Sequence, residues 1–338
     1  PHRAAGQRMQ KTAAQDELWR IDGAVAAVLT ANQALFELLG QLEIRPQALL
    51  GHSTGEYTAF QASGILELRD ESRYGQYVAE LDEVYQRISA KGDVPKVQLV
   101  AVGLDSENLR DVVHQIDAEL YIAMDNCPNQ VVVVGIEPEI EKATKELSRH
   151  GLIYQILPFD RPYHTPLFKA YADDLRPFFE RWLLQPARLQ VYSCTTGKPF
   201  SNDLEEIRRT ATEHWVRPVQ FRQTIEKMYE DGVRIFVEVG PKGNLTAFAH
   251  DILRDREHVA VASNVAARSG ITQLNHTIGM LAAHGVPMRL DYLYARRNPI
   301  RLSFDLQAGG RGKERGDTGA MTLNLEVPRL QLRWEGSS

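Results

Sequence analysis

The chain has 338 residues, of which 25% are charged, and a formal net charge of -5. A chain of this length can bury a large core in one domain with an insertion or in two smaller domains. Acidic and basic residues are interspersed, which argues against nucleic acid as the main partner. No apolar run reaches the roughly 18 residues that span a bilayer, and the N-terminal PHRAAGQRMQKTAAQ lacks a signal-peptide core. We therefore expect a cytoplasmic protein without nucleic-acid or membrane partners.

The beginning of the chain has the pattern of a helix, a strand, a sharp turn and a second helix. Apolar residues recur at three- and four-residue intervals in 24–39, which predicts a helix with buried faces. A short apolar segment at 48–51 leads into the turn GHSTGEY, and 57–65 again has helical periodicity. This order is the repeating unit of α/β sheet folds.

Between residues 96 and 157, short β-branched runs alternate with polar helical segments. VQLVAV, LYIAM, QVVVVG and IYQIL predict four strands, and SENLRDVVHQI and EPEIEKATKELSRHG predict two helices. Their order, β-α-β-β-α-β, is that of a ferredoxin-like module. We therefore expect a ferredoxin-like subdomain at 96–157, inserted into an α/β-hydrolase-like core with a parallel sheet at 1–95 and 158–295.

The core sheet is expected to resume after the insertion. A helix is predicted at 219–229, and RIFVEVG at 234–240 predicts a buried strand. Further on, GGRGKERGDTG at 309–319 is glycine-rich and charged, and MTLNLEVPRLQLRW follows it with a strand-like pattern. Residues 296–338 are therefore predicted to form a C-terminal linker.

The first sharp turn contains the pattern G-x-S-x-G, as Gly51-His52-Ser53-Thr54-Gly55. In a nucleophile elbow of this kind the glycines remove side chains where strand and helix approach closely, and the serine occupies a strained, exposed turn. Such five-residue patterns also occur by chance, but the strand before and the helix after favour the elbow. Ser53 is therefore the predicted nucleophile.

A serine hydroxyl needs a base, and histidine is the usual one because its unperturbed pKa is about 6.5. Among ten histidines, His164 lies in RPYHTP between two prolines that fix the backbone. A proline-flanked histidine is also a common surface loop residue. His52 is a competing base, although adjacent positions in a tight turn usually point apart. Cys127 and Cys194 have no CxxC or histidine-rich neighbours, which predicts neither a metal site nor a disulfide framework.

Five segments keep a fixed order over roughly residues 15 to 295. They are GHSTGEYTA, NCPNQ followed by VVVVG, PYHTPLF, HWVRPVQF and FVEVGPKGNLT. Each resembles a motif of the malonyl- and acyl-CoA:acyl carrier protein transacylases, a family that includes the acyltransferase domains of polyketide and fatty acid synthases. The serine and histidine motifs carry Ser53 and His164.

The resemblance implies a two-step exchange. Ser53 would take an acyl group from coenzyme A, and the phosphopantetheine thiol of an acyl carrier protein would then remove it, with His164 as base and then acid. The backbone carbonyl of His214 would orient the histidine, and the backbone N–H of Thr54 would lie in the oxyanion hole. The resemblance implies no bound cofactor and no metal, and neighbouring polyketide synthase domains as further partners.

Two departures from the family pattern matter. The family's Gly-Gln-Gly-Ser-Gln strand, whose first glutamine lies at the oxyanion site, has no counterpart, so the N-terminal strand is missing or the site is built differently. Malonyl-type members carry an arginine 25 residues after the serine, where this chain has Val78, and Arg73 would lie on another helix face. Burying an unpaired carboxylate is costly, so Val78 favours an uncarboxylated starter acyl group over malonyl.

The resemblance also assigns further residues to substrate binding. Arg161 and Tyr163 belong to the four residues ending at His164, which are associated with extender choice in the family. Arg161 is a hypothetical carboxylate ligand, and Tyr163 would narrow the pocket against branched extenders. His52 and Asn126 complete the predicted site.

Alternative functions remain open at this point. An acyl-carrier hydrolase would use the same serine and histidine with water as the acceptor. A catalytically silent scaffold domain of a megasynthase would fit the missing glutamine strand. An ordinary α/β-hydrolase esterase would need a triad aspartate late in the chain and does not predict the insertion.

Overall fold

The structure is a computed structural model that describes most of the chain. The described residues are 21–66, 75–76, 79–80, 83–84, 86–87, 96–115 and 118–295. The chain divides into two units, residues 1–292 and 293–338, and every contact reported below lies within the first. Residues 1–20, Arg73, Val78 and 296–338 lie outside the described residues, so the predictions for these positions, including the strand-like MTLNLEVPRLQLRW, stay predictions.

The described residues form both helices and strands. The helices are α1 (Ile21–Gln41), α2 (Gly55–Ser63), α3 (Ser106–Gln115), α4 (Glu137–Arg149), α5 (Lys169–Glu180), α6 (Leu204–Glu213), α7 (Phe221–Glu230), α8 (Asn244–Ile252), α9 (Gly270–Ala283) and α10 (Asp291–Tyr294). The strands are β1 (Ala48–Gly51), β2 (Val97–Val102), β3 (Tyr121–Cys127), β4 (Gln130–Ile136), β5 (Tyr154–Leu157), β6 (Gln190–Ser193), β7 (Lys198–Pro199), β8 (Val219–Gln220), β9 (Ile235–Glu238) and β10 (Val259–Ala262). Two 3₁₀ turns lie at Pro166–Phe168 and His214–Val216. None of the described helices has the length and apolar character needed to cross a bilayer.

The serine motif lies between β1 and α2, as the sequence predicts. β1 pairs in parallel with β6, and β7 joins β6 in the antiparallel direction, so this sheet is mixed. A second parallel pair, β9 and β10, forms its own two-stranded sheet in the described residues. Within the expected core, parallel pairing is therefore present between β1 and β6 and between β9 and β10, and these two pairs belong to separate sheets.

The segment from β2 to β5 has the connectivity β-α-β-β-α-β. Its four strands are antiparallel and lie in the order β5-β2-β4-β3. A fifth strand, β8, comes from later in the chain and pairs in parallel with β3 at Met124 and Asp125. An open strand edge is a site for unwanted pairing. β8 covers part of the β3 edge and connects this segment to a later part of the chain.

Both faces of this five-stranded sheet are covered at β4, which explains the unbroken valine run of that strand. Val131 and Val133 pack on one face under α3 and α4, beside Ile140 and Leu147. The intervening valines of β4 pack on the other face, in a second apolar cluster. A strand covered on both sides is expected to be apolar at every position rather than at alternate ones.

An aromatic cluster fixes the helix that follows the serine. Tyr57 and Phe60 belong to α2, and the ring of Tyr57 lies 5.6 Å from Phe179, 5.5 Å from Trp182 and 6.1 Å from Trp215. Phe60 and Phe179 are completely buried. Burying each large apolar side chain contributes about 1.5–3 kcal/mol. This cluster therefore stabilises α2 against α5 and the second 3₁₀ turn.

Candidate active site

The turn between β1 and α2 has the strain expected of an elbow. Ser53 has a φ of 52°, in the left-handed region that non-glycine residues rarely adopt. A Cβ atom added to Gly51 would overlap the backbone of Gly55 and Glu56, so only glycine fits where β1 meets α2. A Cβ atom at Gly55 would have no atom within 4 Å. The prediction that both glycines avoid a close approach is therefore correct for Gly51 and wrong for Gly55.

Ser53 and His164 lie 111 positions apart in sequence and meet at this turn. Ser53 Oγ is 2.7 Å from Nε2 of His164, and Nδ1 of His164 is 2.9 Å from the backbone carbonyl oxygen of His214. A carbonyl can only accept, so Nδ1 carries the proton and Nε2 presents its lone pair to the serine. This geometry suits transfer of a proton from the serine to the histidine.

The His164 ring is held on several sides. Its backbone N–H donates to the carbonyl of Trp215 at 2.9 Å, and its ring is stacked on the Trp215 ring at an interplanar angle of 9°. Its φ of 62° is a second left-handed conformation at this site. Because it is buried, the pKa of His164 lies well below its ordinary value. The imidazole is therefore neutral near pH 7 and can accept a proton.

Thr54 follows the serine and precedes the first residue of α2. Within the described residues its backbone N–H makes no hydrogen bond, whereas the next two N–H groups, of Gly55 and Glu56, donate to the carbonyls of His52 and Ser53 at 3.0 Å. Free N–H groups at the start of a helix, together with the helix dipole, attract negative charge. The Thr54 N–H is therefore available to an oxyanion beside Ser53.

His52 points toward the five-stranded sheet. Its Nε2 is 2.8 Å from Oδ1 of Asn126, and Nδ2 of Asn126 donates to Oε1 of Gln130 at 3.0 Å. The His52 ring also lies edge-on to Phe221, with centroids 5.4 Å apart. Burial lowers the pKa of His52. The structure thus brings His52 and Asn126 together, whereas the serine contacts His164.

The remaining predicted substrate residues lie beside His164. Tyr163 is 9% exposed, and its ring packs against those of Phe168 and Trp215, with centroids 5.0 and 5.7 Å away. The Arg161 side chain is 24% exposed, and its Nε lies 3.6 Å from Oδ1 of Asp160. Tyr163 therefore belongs to the aromatic core, and Arg161 already has a carboxylate neighbour.

Metal-ligating side chains do not converge in the described part of the chain. No group of three or more His, Cys, Asp or Glu side chains there could hold a metal ion. Cys127 and Cys194 are both buried and unpaired. Burial raises the pKa of the Cys127 thiol to about 12, so it stays protonated and is a poor nucleophile at neutral pH.

Glu56 was missed by the sequence analysis. A glutamate in the first turn of a helix is usually a solvated residue that complements the helix dipole. In the structure it is completely buried and accepts hydrogen bonds from the Ser193 hydroxyl and from the backbone N–H groups of Cys194 and Thr195. The only sequence signal for its involvement in the site was its position directly after Gly55, the second glycine of the serine motif.

The fold and this site define the class of protein. Residues 9–282 match the family described as the acyl transferase domain, and the chain belongs to that family.

Individual relatives and solved structures show which members of the family this chain is similar to. The chain is 27% identical over 256 residues to a malonyl CoA-acyl carrier protein transacylase of Bacillus subtilis (strain 168), covering 73% of this chain and 77% of that protein. It is 29% identical over 262 residues to the spectinabilin polyketide synthase system protein NorB of Streptomyces orinoci, covering 76% of this chain but only 12% of that protein. The acyltransferase domain from the second module of the salinomycin polyketide synthase superposes with a TM-score of 0.71 at 26% identity, covering 83% of this chain and 64% of that one.

Proposed function

We propose that the chain transfers an acyl group from an acyl-CoA, through an ester on Ser53, to the phosphopantetheine thiol of an acyl carrier protein in polyketide or fatty acid biosynthesis. The observation that carries this proposal is the 2.7 Å contact between Ser53 Oγ and Nε2 of His164, with Nδ1 held by the His214 carbonyl. This arrangement is an activated nucleophile whose base is oriented by a third group.

The chemistry takes place in two balanced halves. In the first, His164 takes the proton of Ser53, the serine oxygen attacks the thioester carbonyl, and the C–S bond breaks as coenzyme A leaves with that proton. In the second, the carrier thiol gives its proton to His164 and its sulfur attacks the ester carbonyl, forming the new C–S bond. The bond between the acyl carbon and Ser53 Oγ then breaks, and His164 returns the proton to Ser53 Oγ. The Thr54 N–H stabilises the oxyanion in both halves.

The proposed domain organisation places this site at the edge of an insertion. We assign an α/β-hydrolase-like core to residues 1–95 and 158–295, a ferredoxin-like subdomain to 96–157 and a linker to 296–338. The antiparallel order β5-β2-β4-β3 of the insertion supports this assignment. The contact between His52 and Asn126 joins the serine turn to the insertion, and we assign both residues to substrate binding.

The proposed acyl donor is a CoA thioester whose acyl group carries a free carboxylate, as malonyl does. Relatives that carry the name malonyl CoA-acyl carrier protein transacylase do not support the uncarboxylated starter that Val78 favoured. Arg161 is the proposed carboxylate ligand, since a guanidinium can bind a carboxylate in a bidentate pair. To do so it must exchange its Asp160 neighbour for the substrate. We assign Tyr163 to the wall of the acyl-binding pocket, next to Arg161.

Intact-protein mass spectrometry tests the acyl-enzyme directly. The chain is incubated with malonyl-, methylmalonyl-, acetyl-, propionyl- and hexanoyl-CoA in turn. An adduct is expected with malonyl-CoA; it should be absent in Ser53→Ala and retained in Ser148→Ala, a control at an exposed serine of α4. Loss of a malonyl but not an acetyl adduct in Arg161→Ala would support its role as the carboxylate ligand.

The acceptor is tested by adding a phosphopantetheinylated acyl carrier protein. Transfer moves the adduct mass from the enzyme to the carrier, whereas an acyl-carrier hydrolase releases the free acid. If wild-type protein forms no adduct with any donor, the proposed function is wrong and a silent scaffold takes its place.

A further inference from the structure

Glu56 is a buried carboxylate beside the serine turn that the mechanism above does not use. Its Oε1 accepts three hydrogen bonds, from Ser193 Oγ at 3.1 Å and from the N–H groups of Cys194 at 2.6 Å and Thr195 at 3.3 Å. Three donors converging on one oxygen suit a carboxylate, which in its ionised form only accepts. Glu56 therefore joins the first turn of α2 to the end of β6.

The other oxygen of Glu56 faces the ring of His214. Oε2 lies 3.3 Å from Nδ1 of His214, and Thr195 Oγ1 lies 3.4 Å from the same nitrogen. Within the described residues, Oε2 of Glu56 and Nε2 of His214 make no hydrogen bond. Both side chains are 1% exposed. The carboxylate thus approaches the His214 imidazole in a site that excludes water.

His214 connects this carboxylate to the histidine that contacts the serine. Its carbonyl oxygen accepts from Nδ1 of His164, and its ring meets the His164 ring edge-on with centroids 4.8 Å apart. We propose that Glu56 is a positioning residue, whose buried negative charge holds His214 in place and stabilises the imidazolium form of His164 during acyl transfer. This inference rests on the function proposed above.

Burial is the reason that the charge can act on His164 without touching it. In water a charge is screened within about 10 Å at ordinary salt, whereas buried groups are screened much less. The proton of Ser53 moves only to His164, so Glu56 keeps the same charge throughout the reaction. The negative charge of Glu56 therefore stabilises the protonated, positive form of His164 more than the neutral form present before the reaction. An interaction that is stronger in the transition state than in the ground state lowers the activation barrier of acyl transfer.

The test measures single-turnover acylation of Ser53 by malonyl-CoA and by acetyl-CoA across a pH series. Glu56→Gln keeps the shape and removes the charge. We expect acylation at saturating acyl-CoA to be about tenfold slower, with the acyl-CoA concentration at half-maximal rate unchanged within about twofold. The acid limb of the pH profile should move to lower pH because the imidazolium has lost its stabilisation. Glu56→Asp, which keeps the charge, should recover part of the rate.

Asp231→Asn is the matched control. Asp231 accepts a hydrogen bond from Tyr192 on β6, so it is a carboxylate anchored to the same strand. This variant should retain the wild-type rate and pH profile. A merely structural role for Glu56 would lower the melting temperature and leave the pH profile unmoved.

The outcomes separate this inference from the proposed function. A folded Glu56→Gln protein with wild-type rate and pH profile overturns the role of Glu56 alone. If Glu56→Gln does not fold, His214→Ala, which removes the ring and keeps the carbonyl, should acylate about tenfold slower, and an unchanged rate overturns the inference. Absence of acylation in the wild type would instead overturn the proposed function.

Discussion

Replacing each glycine of the serine motif by alanine should have opposite consequences. At Gly51 the new methyl group would overlap backbone atoms of Gly55 and Glu56, which cannot rotate away as a side chain can. Overpacking a close contact costs about 1–3 kcal/mol, and an obstruction by backbone lies at the upper end of that range. At Gly55 the methyl group enters open space, and alanine is up to about 1 kcal/mol better than glycine in a helix. The two variants should therefore differ by about 3–4 kcal/mol.

Urea unfolding of the two variants in parallel measures this difference. Gly51→Ala is expected to lower the unfolding midpoint, and Gly55→Ala to leave it unchanged or raise it. Moving β1 away from α2 also moves Ser53, and a misplacement of about 1 Å can cost on the order of 100-fold in rate. The acylation rate of Gly51→Ala should fall accordingly. Equal unfolding midpoints for the two variants would refute the reasoning, because they would show that the close approach at Gly51 has no energetic cost.

Three further predictions concern the base, the pH dependence of stability and the core. His164→Gln should slow acylation by about 10²–10⁴-fold, since general base catalysis is lost, and a rate within tenfold of wild type would exclude His164 as the base. Burial holds the pKa values of His164 and His52 below about 6.5, so the unfolded chain binds more protons and stability falls as pH drops below about 6.5. Urea unfolding at several pH values should show that the free energy of unfolding falls by up to about 1.4 kcal/mol per pH unit for each histidine. His52→Gln should make this dependence on pH less steep. An unchanged pH dependence in that variant would contradict the lowered pKa of His52. Phe60→Ala should cost about 3–5 kcal/mol because Phe60 is fully buried, whereas Ile153→Ala, at a side chain 82% exposed, should change the unfolding midpoint little.

Much of the local structure follows from residue patterns. The β-branched runs of the insertion and the polar helical segments between them specify strands and helices, because side chains alternate across a strand and recur every 3.6 residues on a helix. The strand before Ser53 occupies 48–51 as predicted, and the helix after it begins two residues earlier than predicted, at Gly55. These features depend on neighbours in the chain, which is why the sequence alone was sufficient.

Sequence patterns by themselves did not reveal the long-range arrangement of the site. The pairing of β8 with β3 and the contact between Ser53 and His164 join segments about 95 and 111 residues apart. The contact between Ser53 and His164 was expected only because their motifs resemble those of a known family.

What the sequence by itself determined is therefore the order of elements, the elbow with its serine, and the set of motifs. What only the tertiary structure decided is which polar groups are buried together. Glu56 looks solvent-exposed in sequence because a first-turn glutamate usually is, and Gly55 looks as constrained as Gly51 because both belong to one motif. The burial of Glu56 depends on β6 and on the 3₁₀ turn at His214, which come from more than 130 residues further along the chain. No local pattern records those neighbours.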